Sequence, residues 1–190
     1  MRTARINGET IPESAIAFEF DRLAAFYVSH GTPAEEIKAK AAELREKALE
    51  QAIGARLLSD AAARLDIRVA AAALDAEIAK AERQMGGREK LAAALAARNI
   101  DGEAFRRSIE KSAKVNALVE KACAHIDDPE ESEIEAFWET RADRWRRAGA
   151  TLVSARETIR DLLRHEARGR AVAAYVADLR SKAVVEYVDD

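Results

Sequence analysis

The sequence predicts an all-α fold carrying a small two-stranded β pair made from its own two ends. Three observations predict it. Apolar residues recur at helical spacing through most of the 190 residues, which is the period of one α-helical face. Proline and glycine fall mostly at the breaks between these periodic stretches. Only the extremes, Thr3–Ile6 and Ala183–Val188, are rich in β-branched and aromatic residues.

Thr3–Ile6 reads as a strand closed by the turn pair Asn7-Gly8. Pro12 opens a first helix, where its missing N–H does no harm, and the helix runs to about Ser29 before His30-Gly31. Ile16, Phe20, Leu23 and Tyr27 share one face, while Phe18 and Phe26 point elsewhere. Thr32-Pro33-Ala34-Glu35 reads as an N-cap, an N1 proline and a capping-box glutamate. It starts a long helix over Pro33–Leu65. Ile37, Ala41, Leu44, Ala48, Ala55, Leu58 and Ala62 form one stripe on that helix. Leu49, Ile53 and Leu57 form a second, so its C-terminal half is wanted on both sides. Gly54 costs about 1 kcal/mol in a helix interior relative to alanine, and marks a close helix crossing.

Ile67–Val69 is an extended link. Ala70–Gln84 is a third helix with Leu74 and Ile78 inward, stopped by Gly86-Gly87, and Arg88–Arg98 is a fourth. Asp101 caps a fifth helix over Gly102–His125, with Ala104 at its third position. Asp127–Glu131 starts a sixth, which carries Ile134, Phe137 and Trp138 and fades near Trp145. Arg146–Val153 is a connector. Ser154-Ala155-Arg156-Glu157 reads as another capping box, opening a last helix to about Lys182 with Ile159, Leu162, Leu163, Ala171, Tyr175 and Leu179 at helical spacing.

Composition narrows the chemistry. Aromatics are only 5% and alanine dominates the apolar share, so the core is thin and long helices must approach closely. The 31 basic residues are spread among 34 acidic ones, and Arg144, Arg146 and Arg147 are the main basic cluster. A nucleic-acid partner is therefore disfavoured. A single cysteine, Cys123, excludes an intrachain disulfide framework. His30, His125 and His165 are far apart and no CxxC or HExxH occurs, which leaves a metal site without support. No P-loop or Gly-rich phosphate loop is present, so no cofactor is expected. Cys123 and His125, two apart on a helix, point in different directions, and Cys123 reads as a small buried hydrophobe. Acids such as Glu43 stand four residues from a base, here Lys47, on polar helix faces. No apolar run reaches the roughly 18 residues of a membrane span. Met1–Gly8 lacks the apolar stretch of a signal peptide. The chain as written is cytoplasmic; with a leader already removed it would be periplasmic or otherwise extracytoplasmic.

Several segments resemble one family in the family's own order. Arg5–Ser14 (RINGETIPES) is similar to its "VNGE-x-I-x-x-S" opening, and Lys47–Leu58 to its "ALEQLIDRKLL" helix. Arg64–Val69 is similar to its "LGI-x-V" break, with Asp66 in place of the glycine and Ala70-Ala71 in place of a Ser/Asp cap. Leu74–Ile78, Leu91–Phe105 and Ser132–Glu139 match its next helices, and Arg156–Tyr187 its tail. Together they resemble the SurA/PrsA/NifM-like parvulin-type foldase chaperone module. In that family a parvulin prolyl-isomerase domain usually separates the front from the tail. Here only Arg146–Val153 stands between them, about eight residues where a domain needs on the order of 50 or more.

The resemblance implies a SurA N-terminal-like helical chaperone region over 1–145, a connector over 146–153, and a closing helix and strand over 154–190 that complete the same domain. It implies an ATP-independent holdase for unfolded or nascent client proteins, with no enzymatic activity of its own. The alternatives are a homodimeric assembly module and a piece of a peptidyl-prolyl isomerase whose catalytic domain is absent. Neither nucleic acid nor membrane insertion is expected. The candidate client-binding residues are Phe18, Phe26, Leu49, Ile53, Leu57, Trp138, Trp145 and Tyr175, on an apolar groove between the first two helices and the last. The aromatics among them also read plainly as core or seam packing, with Trp145, beside the polar connector, the most accessible.

Overall fold

The computed structural model describes residues 2–189, with the side chain of Arg144 outside the description. The element order is β1 (Thr3–Ile6), β2 (Glu9–Thr10), α1 (Glu13–Ser29), α2 (Ala34–Ala39), α3 (Ala41–Arg64), α4 (Ala71–Gln84) and α5 (Arg88–Ala96). Then follow α6 (Gly102–Cys123), α7 (Glu131–Arg141), α8 (Asp143–Arg147), α9 (Leu152–Ser181) and β3 (Val185–Val188). The all-α class with paired chain ends is as the sequence predicts.

The sheet grows from one turn. Asn7 and Gly8 both sit at positive φ, 51° and 85°, the two-residue geometry whose twist matches a hairpin. The turn folds β2 back on β1, which pairs Ile6 with Glu9. The expected two-stranded pair is therefore a three-stranded antiparallel sheet in the order β2-β1-β3. β3 pairs on the other side of β1, from Thr3–Val188 to Ile6–Val185. Asn7 secures this second junction too: its amide donates to the Val184 carbonyl (2.8 Å) and its Oδ1 accepts from the Val184 amide (3.0 Å).

The chain forms two compact units. The first comprises residues 2–118 and 176–189. Ala4 and Ile6 point from β1 into its core, where they meet Ile16 of α1 and Ala48, Leu49, Ile53 and Leu57 of α3. Val176 and Leu179, from the C-terminal end of α9, pack against the same core. Each fully buried Leu or Ile contributes on the order of 1.5–3 kcal/mol. Arg45 ties α3 to α1 by donating from both Nη atoms to the Glu13 carboxylate, at 2.7 Å each. That bidentate bond holds the Glu13 carboxyl below the usual carboxylate range.

Residues 119–175 form the second unit. Ile134 and Trp138 of α7 and Ala155 and Ile159 of α9 make its core, with Phe137, Trp145, Leu152 and Leu163 packed against it. Arg156, Arg164 and Arg168, on one side of α9, reach acids elsewhere in the unit. Arg156 meets Glu131 at 3.0 Å, Arg164 donates to Asp128 at 2.9 Å, and Arg168 makes two bonds to Glu120.

Several boundaries differ from the sequence reading, each for a local reason. Thr32 does not cap the second helix. It closes the first: the Gly31 amide donates to the Val28 carbonyl and the Thr32 amide to that of Tyr27 (3.0 Å each), the Schellman arrangement with Gly31 at positive φ. The cap position of α2 falls to Pro33, without a side-chain bond, and Glu35 pairs with Lys38 instead. The predicted Pro33–Leu65 helix is broken at Lys40 (φ −96°, ψ 10°), where neither proline nor glycine marks the break. α9 starts earlier than Ser154, because Thr151 and Ser154 exchange backbone and side-chain bonds: the Ser154 amide donates to Thr151 Oγ1 and the Thr151 amide to Ser154 Oγ. Part of the predicted connector is thus helical, in α8 and at Leu152–Val153. The expected Asp101 cap forms, its Oδ1 accepting from the Ala104 amide.

Candidate functional site

α1, α3 and α6 border a groove of ≈ 560 Å³ in the first unit. Pro12, Ala15 and Phe18 supply the α1 wall, Ala52, Ala55 and Leu58 the α3 wall, and Lys111, Ser112, Val115 and Asn116 the α6 wall. The sequence builds it simply. On α3, the face opposite Ile53 carries Ala55 and Leu58, small or aliphatic side chains that leave room above them. On α1, Phe18 lies off the Ile16–Phe20–Leu23 stripe and stays 67% exposed at the rim. An exposed aromatic beside an aliphatic floor is a surface that gains by being covered.

One acid stands on this apolar wall. Glu19 is only 7% exposed. Arg22 Nη2 lies 2.7 Å from its Oε2, but that oxygen accepts no hydrogen bond; the same Nη2 donates to Gln51 Oε1 at 3.2 Å. The contact is an ion pair without the geometry of a bond. A second hollow, ≈ 550 Å³, continues along α3 and α6 and shares Arg56, Ser59 and Lys111 with the first. Arg56 is fixed there by bonds to Glu9 and to Asp60 (2.8 Å), which raise its pKa further.

The predicted site residues separate into surface and interior. Phe18 lines the groove, and Phe26 is 56% exposed farther along α1, stacked against the His30 ring at 4.1 Å. Leu49, Ile53 and Leu57 are 1%, 0% and 1% exposed. They face the core rather than an open groove, because β1, α1 and the end of α9 cover that stripe of α3. The open side of α3 carries Ala55 and Leu58 of the other stripe, whose Leu44, Ala48 and Ala62 are buried, so the groove lies toward α6 and not toward the last helix. Trp138 is buried in the second unit's core, with the Arg146 guanidinium 5.4 Å over its ring. Trp145 is half-buried against that core and lines a small hollow with Ala148, Ala150 and Leu162. Tyr175 is half-buried near the end of α9. Within the first unit, Phe18 and Phe26 are exposed while Leu49, Ile53 and Leu57 are buried; Trp138, Trp145 and Tyr175 belong to the second unit. Sequence reasoning missed Glu19 and the α6 wall. Glu19 carried a signal, being an acid three residues after Ile16 and four before Leu23 on an apolar stripe.

The family follows from sequence and fold together. Residues 2–119 match the model of the SurA-like N-terminal domain, and the chain belongs to that family. Its fold is also that of a solved chain from work on the virulence factor PEB4 and the periplasmic protein Cj1289, two structurally related SurA-like chaperones of the human pathogen Campylobacter jejuni. The two chains superpose with a TM-score of 0.54 at 15% identity, over 99% of each. None of the curated proteins is significantly similar to this chain. No helix among the described residues is long and apolar enough to cross a membrane.

Proposed function

We propose that this chain is an ATP-independent chaperone that holds unfolded or partly folded polypeptides, and that the α1–α3–α6 groove is its acting surface. The observation that carries the reading is the groove itself, with Phe18 exposed over an aliphatic floor in the segment that matches the SurA-like family. Such a surface gains by covering apolar side chains of any sequence, and a shallow open trough does so without ordering the whole client. The periplasmic setting of Cj1289 is compatible with a holder that needs no nucleotide. The reading assigns no catalytic step, and a peptide cis/trans assay showing prolyl isomerisation would contradict that part of it.

The test is aggregation of an unrelated, thermally unfolding client, followed by light scattering without ATP. Equimolar to severalfold protein is expected to suppress it; no suppression at severalfold excess sinks the reading. Phe18→Ser is expected to weaken client binding about tenfold, as loss of an aromatic anchor does. Its own melting temperature should stay unchanged, since Phe18 is exposed. A variant that holds clients as well as the parent would move the site elsewhere.

A further inference from the structure

The second hollow differs in charge from the protein around it. The chain as a whole carries a net charge of −3. Arg56, Arg107, Lys111 and Lys114 line the hollow against only two acids, Asp60 and Glu110. Three of the four bases are occupied. Arg56 bonds Asp60 at 2.8 Å, Lys114 lies 2.8 Å from Glu110, and Arg107 leans to Glu103 at 3.4 Å. Among the described residues Lys111 has neither an ion pair nor a side-chain hydrogen bond, and it lines both hollows. Ser112 and Asn116, which also line the first hollow, add hydrogen-bonding groups beside it. The one acid of the first hollow, Glu19, is already matched by Arg22.

We propose that the groove prefers client segments in which a carboxylate side chain stands next to apolar ones, the apolar groups lying against Phe18 and Leu58 and the carboxylate meeting Lys111. The inference rests on the client-binding reading above and adds selectivity to it. A free ammonium at the edge of an apolar floor favours an acid that can reach it and disfavours a second base by like-charge repulsion. Apolar contact alone carries no such sign.

Two fluorescein-labelled extended peptides test this. They share the same apolar residues and differ only in carrying Glu or Lys at two intervening positions, and binding is read by fluorescence anisotropy. At low salt the Glu peptide is expected to bind about three- to tenfold more tightly, the size of one or two exposed ion pairs. The gap should close at about 0.5 M salt, where charges are screened over a few ångströms. Lys111→Glu is expected to reverse the preference with an unchanged melting curve, because the side chain is exposed and holds nothing in place. Equal binding of both peptides, or a preference that Lys111→Glu does not move, overturns the selectivity and leaves the client-binding reading standing. If neither peptide binds, the selectivity fails; aggregation suppression that persists then places holding at another surface, and its absence removes the holding reading as well.

Discussion

Gly54 stands where α3 meets the C-terminal end of α9. It lies in the middle of α3, and a Cβ built there would come 3.4 Å from Val176 Cγ1, an ordinary van der Waals contact. The glycine therefore marks the crossing that its position predicts, but the crossing has room for one more carbon. Gly54→Ala is expected to raise the unfolding free energy by about 0.5–1 kcal/mol through helix propensity alone, measured by urea denaturation. A drop in stability would mean that α3 and Val176 lie closer than described. Asp66 is the converse case. It stands at φ 44° just after α3, the left-handed position where the resembling family has glycine, and its short polar side chain is among the few that tolerate it.

At the scale of elements, the arginines on α9 turn a helix surface into a pH-sensitive seam. Asp128 and Glu120 are held below the usual carboxylate range, chiefly by hydrogen bonds from Arg164 and Arg168. A carboxylate with a depressed folded pKa adds stability that is present above the ordinary carboxylate range, about pH 4. That contribution is lost as pH falls through the depressed values. The second unit should thus weaken progressively below about pH 4. Both tryptophans of the chain, Trp138 and Trp145, belong to this unit, so tryptophan fluorescence during urea titration at stepped pH reads it selectively. Replacing both Arg164 and Arg168 by Gln is expected to flatten that acid limb; an unaltered limb would assign it to other groups. These seams were not legible beforehand. Periodicity showed which residues of α9 were apolar, and Asp101 and Gly86-Gly87 placed their helix boundaries, because those signals are local. The partners of Arg164 and Arg168 lie 36 and 48 residues away, and no spacing rule reaches that far. The groove was half legible for the same reason. Phe18 is off-stripe in its own helix and could be read as exposed, whereas the choice between the two stripes of α3 depends on what packs against them.

For the whole molecule, the decisive contact joins the two ends of the chain. The β3 strand supplies Val185 to the first unit's core, and Tyr187 donates to Glu50 while Arg180 bonds the same carboxylate at 2.6 Å. Ending the chain at Lys182 removes β3 and leaves one edge of β1 unpaired. The expected effect is a fall in melting temperature of about 10 °C, equivalent to a few kcal/mol for a protein of this length. A melting curve unchanged by the truncation would show that the strand pairing contributes nothing. The pairing also orders events in time. At about 5–20 residues per second, translation reaches the C-terminal strand roughly 9–36 s after the N-terminal one. Until the C-terminal strand has emerged, Ala4 and Ile6 lack their second neighbour, and the nascent polypeptide carries its own unsealed apolar edge. During its own biosynthesis, then, this member of a chaperone family is itself an unfinished protein in need of shelter.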